Sequence, residues 1–211
     1  MFDGDADRIG MVSRSGTMTK FIRGDVITAL IASALLQGEK GEIFYDVMST
    51  KAVEIVAKRC GGTARRTRMG RYFINKELNE SGGLFAGEVS GHYMFKEMGG
   101  YEMPLLAMFY VLQTLEEYAD FDTMVASFHS LFKAPIVSMK VEDKEYCLSA
   151  VKEMFKEYPQ DFLDGVSVYG EDFWLNVRGS NTENKVRYTV EAESLERMEE
   201  IKGKLEGIFG G

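Results

Sequence analysis

EIFYDVMSTKAVEIVAKRCGGTARRTR, residues 42–68, reads as one strand–helix–strand unit. Glu42 to Asp46 is a short run of apolar and aromatic residues, which suits a buried strand. Ser49 or Thr50 offers a side-chain oxygen to cap a helix reaching Cys60. Gly61-Gly62 stops that helix, and Thr63 to Arg68 is the next strand. A helix crossing between two neighbouring strands makes them parallel. The same alternation extends outward on both sides. Asp25 can cap a helix to Gln37, ended by Gly38. Arg71 to Asn79 is helical, Leu84 to Ala86 is a strand, and Glu102 to Tyr118 and Thr123 to Phe132 are helical. The region from about Lys20 to Phe132 is therefore expected to form a parallel sheet covered by helices.

The pattern changes after Lys133-Ala134-Pro135. Ile136 to Val141 is a strand, and a helix from about Lys144 to Glu157 follows, ended by Pro159. Val166 to Tyr169, Phe173 to Val177 and Val186 to Ala192 are strands. The last helix, Ser194 to Phe209, carries Leu195, Met198, Ile201, Leu205 and Ile208 on one face. This order implies an α+β domain with helices on one face of an antiparallel sheet. Ahead of the α/β region lie an acidic loop, a hairpin-like return from Ile9 to Val12 and a turn at Ser13-Arg14-Ser15-Gly16. The expected divisions are 1–17, 18–132 and 135–211.

Composition narrows the function classes. The chain has 211 residues, of which 45% are hydrophobic and 12% aromatic, enough for real cores. A net charge of −8 argues against a general nucleic-acid binder or an anionic membrane surface. The longest apolar run, Val26 to Leu36, is broken by Thr28 and Ser33 and is too short to span a bilayer. No signal-peptide pattern opens the chain. Cys60 and Cys147 lie far apart and match no metal or redox spacing, so both read as reduced thiols and the expected compartment is the cytoplasm. No obligate protein partner is evident.

Three loops carry chemistry. The first is Phe2-Asp3-Gly4-Asp5-Ala6-Asp7-Arg8. Carboxylates packed this closely repel, and Mg²⁺ relieves that repulsion with hard oxygen ligands at about 2.1 Å. Arg8 can hold a phosphate beside the metal or brace the carboxylates. An EF-hand would need Gly and Glu where Arg8 and Arg14 stand. A phosphatase with Asp3 as nucleophile and Asp5 as acid stays open on this segment alone. Only Met1 and Phe2 precede the loop, so the strand that normally leads into such a loop is missing. The expectation is a piece of a longer gene product, with the loop poorly ordered and binding Mg²⁺ weakly.

The second loop, Gly87-Glu88-Val89-Ser90-Gly91-His92, follows a strand, where α/β sheets place ligand-binding residues. Glu88 and Ser90 alternate and can face one side, a carboxylate and a hydroxyl suited to vicinal sugar hydroxyls. His92 can act as an acid or base near neutral pH. The third loop, Arg178-Gly179-Ser180-Asn181-Thr182-Glu183, joins a cation, three polar side chains and free backbone N–H groups, which suit a phosphate. Two such loops in different domains suggest a cleft holding one end of a sugar phosphate in each.

These three motifs, in this order and spacing, resemble the α-D-phosphohexomutase superfamily, which includes phosphomannomutase, phosphoglucomutase and phosphoglucosamine mutase. The resemblance covers essentially the whole chain and removes the aspartate-nucleophile phosphatase. It implies α/β units with mixed sheets followed by a smaller α+β domain. The fold class expected is thus an α/β three-layer domain with a mixed sheet, then an α+β domain with an antiparallel sheet and helices on one face. The activity implied interconverts hexose 6-phosphate and hexose 1-phosphate, mannose and/or glucose, through a phosphoserine and a bisphosphorylated sugar. Asp3, Asp5 and Asp7 would bind Mg²⁺. Glu88 and Ser90 would bind sugar hydroxyls, with Arg8 and His92 catalytic. Arg178, Ser180, Asn181 and Thr182 would hold the phosphate that is not transferred.

The chain also departs from the family's pattern. The catalytic serine of the family lies in a Ser-His-Asn-Pro segment, and no serine here is followed by His-Asn-Pro. The expectation is a chain carrying the end of domain two with domains three and four, inactive by itself. Arg71 replaces a histidine found in many members, and Met48 a lysine found in some bacterial ones. The alternatives are a sugar-phosphate-binding module without turnover and a phosphoglucosamine mutase fragment.

Overall fold

The protein is described here by a computed structural model, covering residues 1–15, 18–128 and 131–210. The chain divides into two compact units, Met1–Ser130 and Leu131–Gly211.

The N-terminal unit begins with a hairpin of β1 (Met11–Ser15) and β2 (Met18–Ile22). Helix α1 (Gly24–Gly38) follows, then β3 (Glu42–Asp46), α2 (Ala52–Arg59), β4 (Thr63–Thr67) and α3 (Arg71–Ser81). Next come β5 (Phe85–Gly87), β6 (Tyr93–Phe95), β7 (Tyr101–Glu102), α4 (Pro104–Leu115) and α5 (Phe121–Ser127). The five-stranded sheet has the order β4-β3-β5-β6-β7. β3 runs parallel to β4 and β5, whereas β6 and β7 pair antiparallel. The sheet is therefore mixed rather than purely parallel.

Alternation along the strands builds three layers. Ile43, Tyr45, Phe85, Tyr93 and Phe95 join the core formed with α1, α2 and α4. Phe44, Ala86 and Met94 point the other way, onto Ile74 and Leu78 of α3. With both faces covered, β3 reads as a continuous apolar run.

Three sequence expectations change here. Ser13, Arg14 and Ser15 belong to a strand, and Gly16 of the expected turn lies outside the described residues. The helix expected from Glu102 starts at Pro104, whose fixed φ suits the first helical turn, and this leaves Glu102 in a strand. The helix expected over Thr123–Phe132 ends at Ser127; residues 129–130 lie outside the described residues, and Phe132 is in a strand.

The C-terminal unit contains β8 (Phe132–Lys133), β9 (Val137–Lys140), α6 (Lys144–Met154), β10 (Gln160–Asp161), β11 (Val166–Tyr169), β12 (Phe173–Gly179), β13 (Lys185–Ala192) and α7 (Leu195–Phe209). Its sheet is antiparallel throughout, in the order β10-β11-β12-β13-β8, with β9 also on β13. Val151 and Phe155 from the α6 region and Met198, Ile201, Leu205 and Phe209 of α7 pack on Leu175, Val177, Val186, Tyr188 and Val190. The stripe on α7 runs 198, 201, 205, 209. Leu195, the first residue of the helix, lies outside this stripe and is exposed.

Candidate functional site

Parallel strands deliver their C-terminal ends to one rim of the sheet, and the Glu88–His92 loop joins β5 to β6 there. Two backbone bonds close it, Glu88 N–H to His92 O at 3.0 Å and Gly91 N–H to Glu88 O at 2.9 Å. Gly91 has φ 93°, a conformation that favours glycine. Glu88 is buried at 3% exposure, while Ser90 is exposed. The Gly70 N–H donates to Glu88 Oε1 at 3.2 Å, and His92 Nδ1 lies 3.0 Å from Glu88 Oε2. Ser90 Oγ stands 2.9 Å from His92 Nδ1 and 3.4 Å from Glu88 Oε2. The three side chains form one polar cluster.

The acidic loop lies beside this cluster. Its two arms are joined by a bridge between Phe2 and Ile9 and by paired backbone bonds between Met1 and Gly10, both 2.9 Å. Ile9 N–H donates to Gly91 O at 3.3 Å, which ties the acidic loop to the sugar-loop candidate. These contacts hold the two arms of the loop together and against the Glu88–His92 loop. Ala6 N–H donates to Asp3 O at 3.3 Å, which closes a tight turn over Gly4 and Asp5, and Ala6 follows with φ 60°. One carboxylate oxygen each of Asp3, Asp5 and Asp7 lies within 4.8 Å of the others. Asp7 Oδ1 is buried without a hydrogen-bond partner among the described residues. A hard-oxygen set with an orphaned carboxylate oxygen fits a small divalent cation.

Arg8 braces the carboxylates. Its Nε pairs with Asp3 and lies 3.6 Å from Asp7 Oδ1, and its backbone N–H donates to Asp3 Oδ1 at 3.2 Å. Burial pushes the Asp3 carboxyl up, but the Arg8 bonds outweigh it and hold Asp3 below its ordinary value. His92 Nε2 lies 3.6 Å from Asp7 Oδ2, so one imidazole faces both Glu88 and the acidic loop. A depression of about 280 Å³ opens beside them, lined by Asp3, Arg8, Val89, Ser90 and Gly91 with Phe2 and Phe21 as apolar wall.

The hydrogen bond to Glu88 raises the His92 pKa above 6.5; burial opposes this, and the charges of Glu88, Asp7 and Glu102 add to it. The imidazolium therefore contributes its full stabilisation below about pH 6.5, and that contribution is lost as pH rises through the elevated folded value. An NMR titration should place the His92 ring midpoint above 6.5, and Glu88→Gln should lower it. A midpoint at or below 6.5 in the parent would contradict the Glu88 contact.

Residues that the motif reading left outside the site complete it. Arg71 Nη1 lies 3.4 Å from Asp7 Oδ2 and 3.3 Å from Glu102 Oε1. Glu102 reaches this position because it ends a strand at the sheet edge, and Pro104 was the signal for that boundary. Asp46, fully buried at the end of β3, accepts from Met48 N–H at 2.8 Å, Ser49 Oγ at 3.0 Å and Val89 N–H at 2.7 Å. Burial pushes its carboxyl up to about 6, opposed by the Val89 bond and reinforced by the Glu88 charge.

The third motif lies in the C-terminal unit. Arg178 is not in a loop: it falls within β12, on the sheet face of Trp174 and Asn176, and is 6% exposed. Its Nε lies 3.2 Å from Asp164 Oδ1. Ser180 is buried, whereas Asn181, Thr182 and Glu183 are exposed. The loop is tied by Ser180 N–H to Lys185 O at 2.8 Å and by Lys144 Nζ to the Ser180 and Glu183 carbonyls at 2.9 and 3.3 Å. Lys144 adds a cation that the motif reading did not include.

Comparison with known proteins identifies two family domains in the chain. Residues 23–131 match phosphoglucomutase/phosphomannomutase, alpha/beta/alpha domain III, and residues 137–207 match the C-terminal domain of the same family. A phosphomannomutase of Methanocaldococcus jannaschii is 38% identical over 208 residues, which is 96% of this chain and 46% of that protein. The structure of a phosphoglucomutase/phosphomannomutase family protein from Burkholderia thailandensis superposes with a TM-score of 0.84 at 25% identity, over 98% of this chain and 45% of that one. The fold is shared with an Aspergillus fumigatus N-acetylphosphoglucosamine mutase solved with GlcNAc-6P and magnesium, at a TM-score of 0.71 and 14% identity, over 98% of this chain and 47% of that one. The chain thus spans about half the length of these relatives.

Proposed function

The chain belongs to the phosphoglucomutase/phosphomannomutase family, and we propose that it forms the sugar- and phosphate-holding part of an enzyme interconverting hexose 6-phosphate and hexose 1-phosphate, with mannose and/or glucose as the sugar. The observation that carries this reading is the Glu88–Ser90–His92 cluster, which His92 brings within 3.6 Å of Asp7, one of the three gathered carboxylates Asp3, Asp5 and Asp7.

In this reading Glu88 accepts from a sugar hydroxyl and Ser90 donates to or accepts from another. Gly70 and His92 hold the Glu88 carboxylate in place, which spares the ordering cost when sugar binds. His92 would hold or move a proton at Nε2, a role supported by the Glu88 contact that favours its charged form. Arg8 keeps the acidic loop compact and presents a cation beside it. Asp3, Asp5 and Asp7 would hold Mg²⁺, which supplies positive charge against phosphoryl oxygens when bound. Arg178, Ser180, Asn181 and Thr182, together with Lys144, would take the phosphate that is not transferred. Two free cysteines support a reducing, cytoplasmic setting, and no described helix is long and apolar enough to cross a membrane.

Calorimetry with a hexose 1-phosphate tests the sugar assignment. Glu88→Gln keeps the size of a buried side chain but removes its charge, and should weaken binding about tenfold or more. Affinity for inorganic phosphate should stay within about twofold, because that anion needs no sugar contact. Equal affinity of parent and variant for the hexose phosphate would remove Glu88 from the site.

A further inference from the structure

We propose that Asp46 is a positioning residue that sets the sugar-contacting geometry of the Glu88–Ser90 loop by holding the Val89 peptide. The proposal rests on the reading that Glu88 and Ser90 take sugar hydroxyls.

Asp46 is fully buried, and a buried carboxylate is costly unless its oxygens are satisfied. Its oxygens accept from three groups on two separate segments. Met48 N–H and Ser49 Oγ belong to the connection between β3 and α2, and Val89 N–H belongs to the loop between β5 and β6. The contact to Val89, at 2.7 Å, is the shortest of the three. Val89 lies between Glu88 and Ser90, so holding its N–H fixes the peptide that follows the Glu88 Cα and the backbone that leads to Ser90. Gly24 limits that peptide as well. A Cβ there would meet the Val89 carbonyl oxygen at 2.6 Å and that of Glu88 at 3.0 Å. The Val89 backbone is thus held between a buried carboxylate at its N–H and the bare Cα of Gly24 at its carbonyl. Asp46 itself is fully buried, so it acts through the loop and not on the ligand.

Asp46→Asn is the discriminating variant. One end of the new side chain is an NH₂ donor, so it cannot accept from both Met48 N–H and Val89 N–H. Near pH 7, the variant should bind a hexose 1-phosphate about tenfold more weakly than the parent. Its affinity for inorganic phosphate should stay within about twofold, and the amide resonances of Val89 and Ser90 should move while those of Asn181 and Thr182 do not. Ser49→Ala, which leaves the Val89 contact in place, should bind both ligands as the parent does. An Asp46→Asn chain with parent-like sugar-phosphate affinity overturns the proposal, and so does equal loss of both ligands. If that variant does not fold, Gly24→Ala decides, since its Cβ presses on the carbonyls of Val89 and Glu88 in the same stretch of backbone, and Asp46 is not among its nearest neighbours. Selective loss of sugar-phosphate affinity there supports the proposal, and parent-like affinity for both ligands overturns it. A parent chain that binds no hexose phosphate defeats the sugar reading itself, an outcome distinct from any difference between variants.

Discussion

Arg178→Ala is expected to destabilise the C-terminal unit by about 3 kcal/mol, the scale for breaking a buried ion pair by removing one partner. The Arg178 side chain is 7% exposed and that of Asp164 is 12% exposed, with 3.2 Å between Nε and Oδ1. Truncation takes the guanidinium from a largely buried carboxylate and leaves a gap beside Trp174 and Asn176, which share its face of the sheet. In an exposed loop, where the motif reads from sequence, Arg178 would cost almost nothing to replace. Its place inside a strand reverses that expectation. Urea denaturation checks it, and a midpoint equivalent to a loss under about 0.5 kcal/mol would mean that the ion pair carries no stability. Phosphate affinity in this unit is therefore better probed at the exposed Asn181 and Thr182.

Gly165→Ala should cost about 3 kcal/mol or more, from strain and overpacking together. Gly165 has φ 77°, a left-handed conformation that strains any side chain. A Cβ there would meet the Val177 carbonyl oxygen at 2.2 Å and Arg178 Cα at 2.7 Å. Both are backbone atoms of β12, which is held on each side by sheet partners and cannot give way. The segment carrying Asp164 must move instead, so the substitution should also loosen the contact with Arg178. Thermal or urea unfolding measures the effect. A cost under about 1 kcal/mol would show that residues 160–165 yield freely.

The clearest sequence signals came from long elements with strong punctuation. β3 has the bounds its apolar run suggested, and α1 ends at the glycine that marked it. The short strands at Tyr93–Phe95 and Tyr101–Glu102 were missed because three and two residues show no period, so only the family resemblance pointed to a mixed sheet. In the candidate site, the spacing of Asp3, Asp5 and Asp7 showed that carboxylates would gather. It could not show that His92, which meets Glu88 within its own loop, also faces Asp7, since that pair is brought together only by tertiary structure. Asp46 read as the end of a strand, and Asp164 carried no motif at all. Their importance comes from burial and from partners distant in sequence.

The most direct test of the central claim is a backbone-amide NMR titration of the chain with a hexose 1-phosphate in the presence and absence of Mg²⁺. Mg²⁺ alone should perturb residues 3–8. The sugar phosphate should perturb residues 88–92 and 180–182, and inorganic phosphate only the latter. Perturbations that avoid residues 88–92 when the sugar phosphate is added, or that are the same for sugar phosphate and phosphate, would contradict a sugar-binding role for the Glu88–Ser90–His92 cluster.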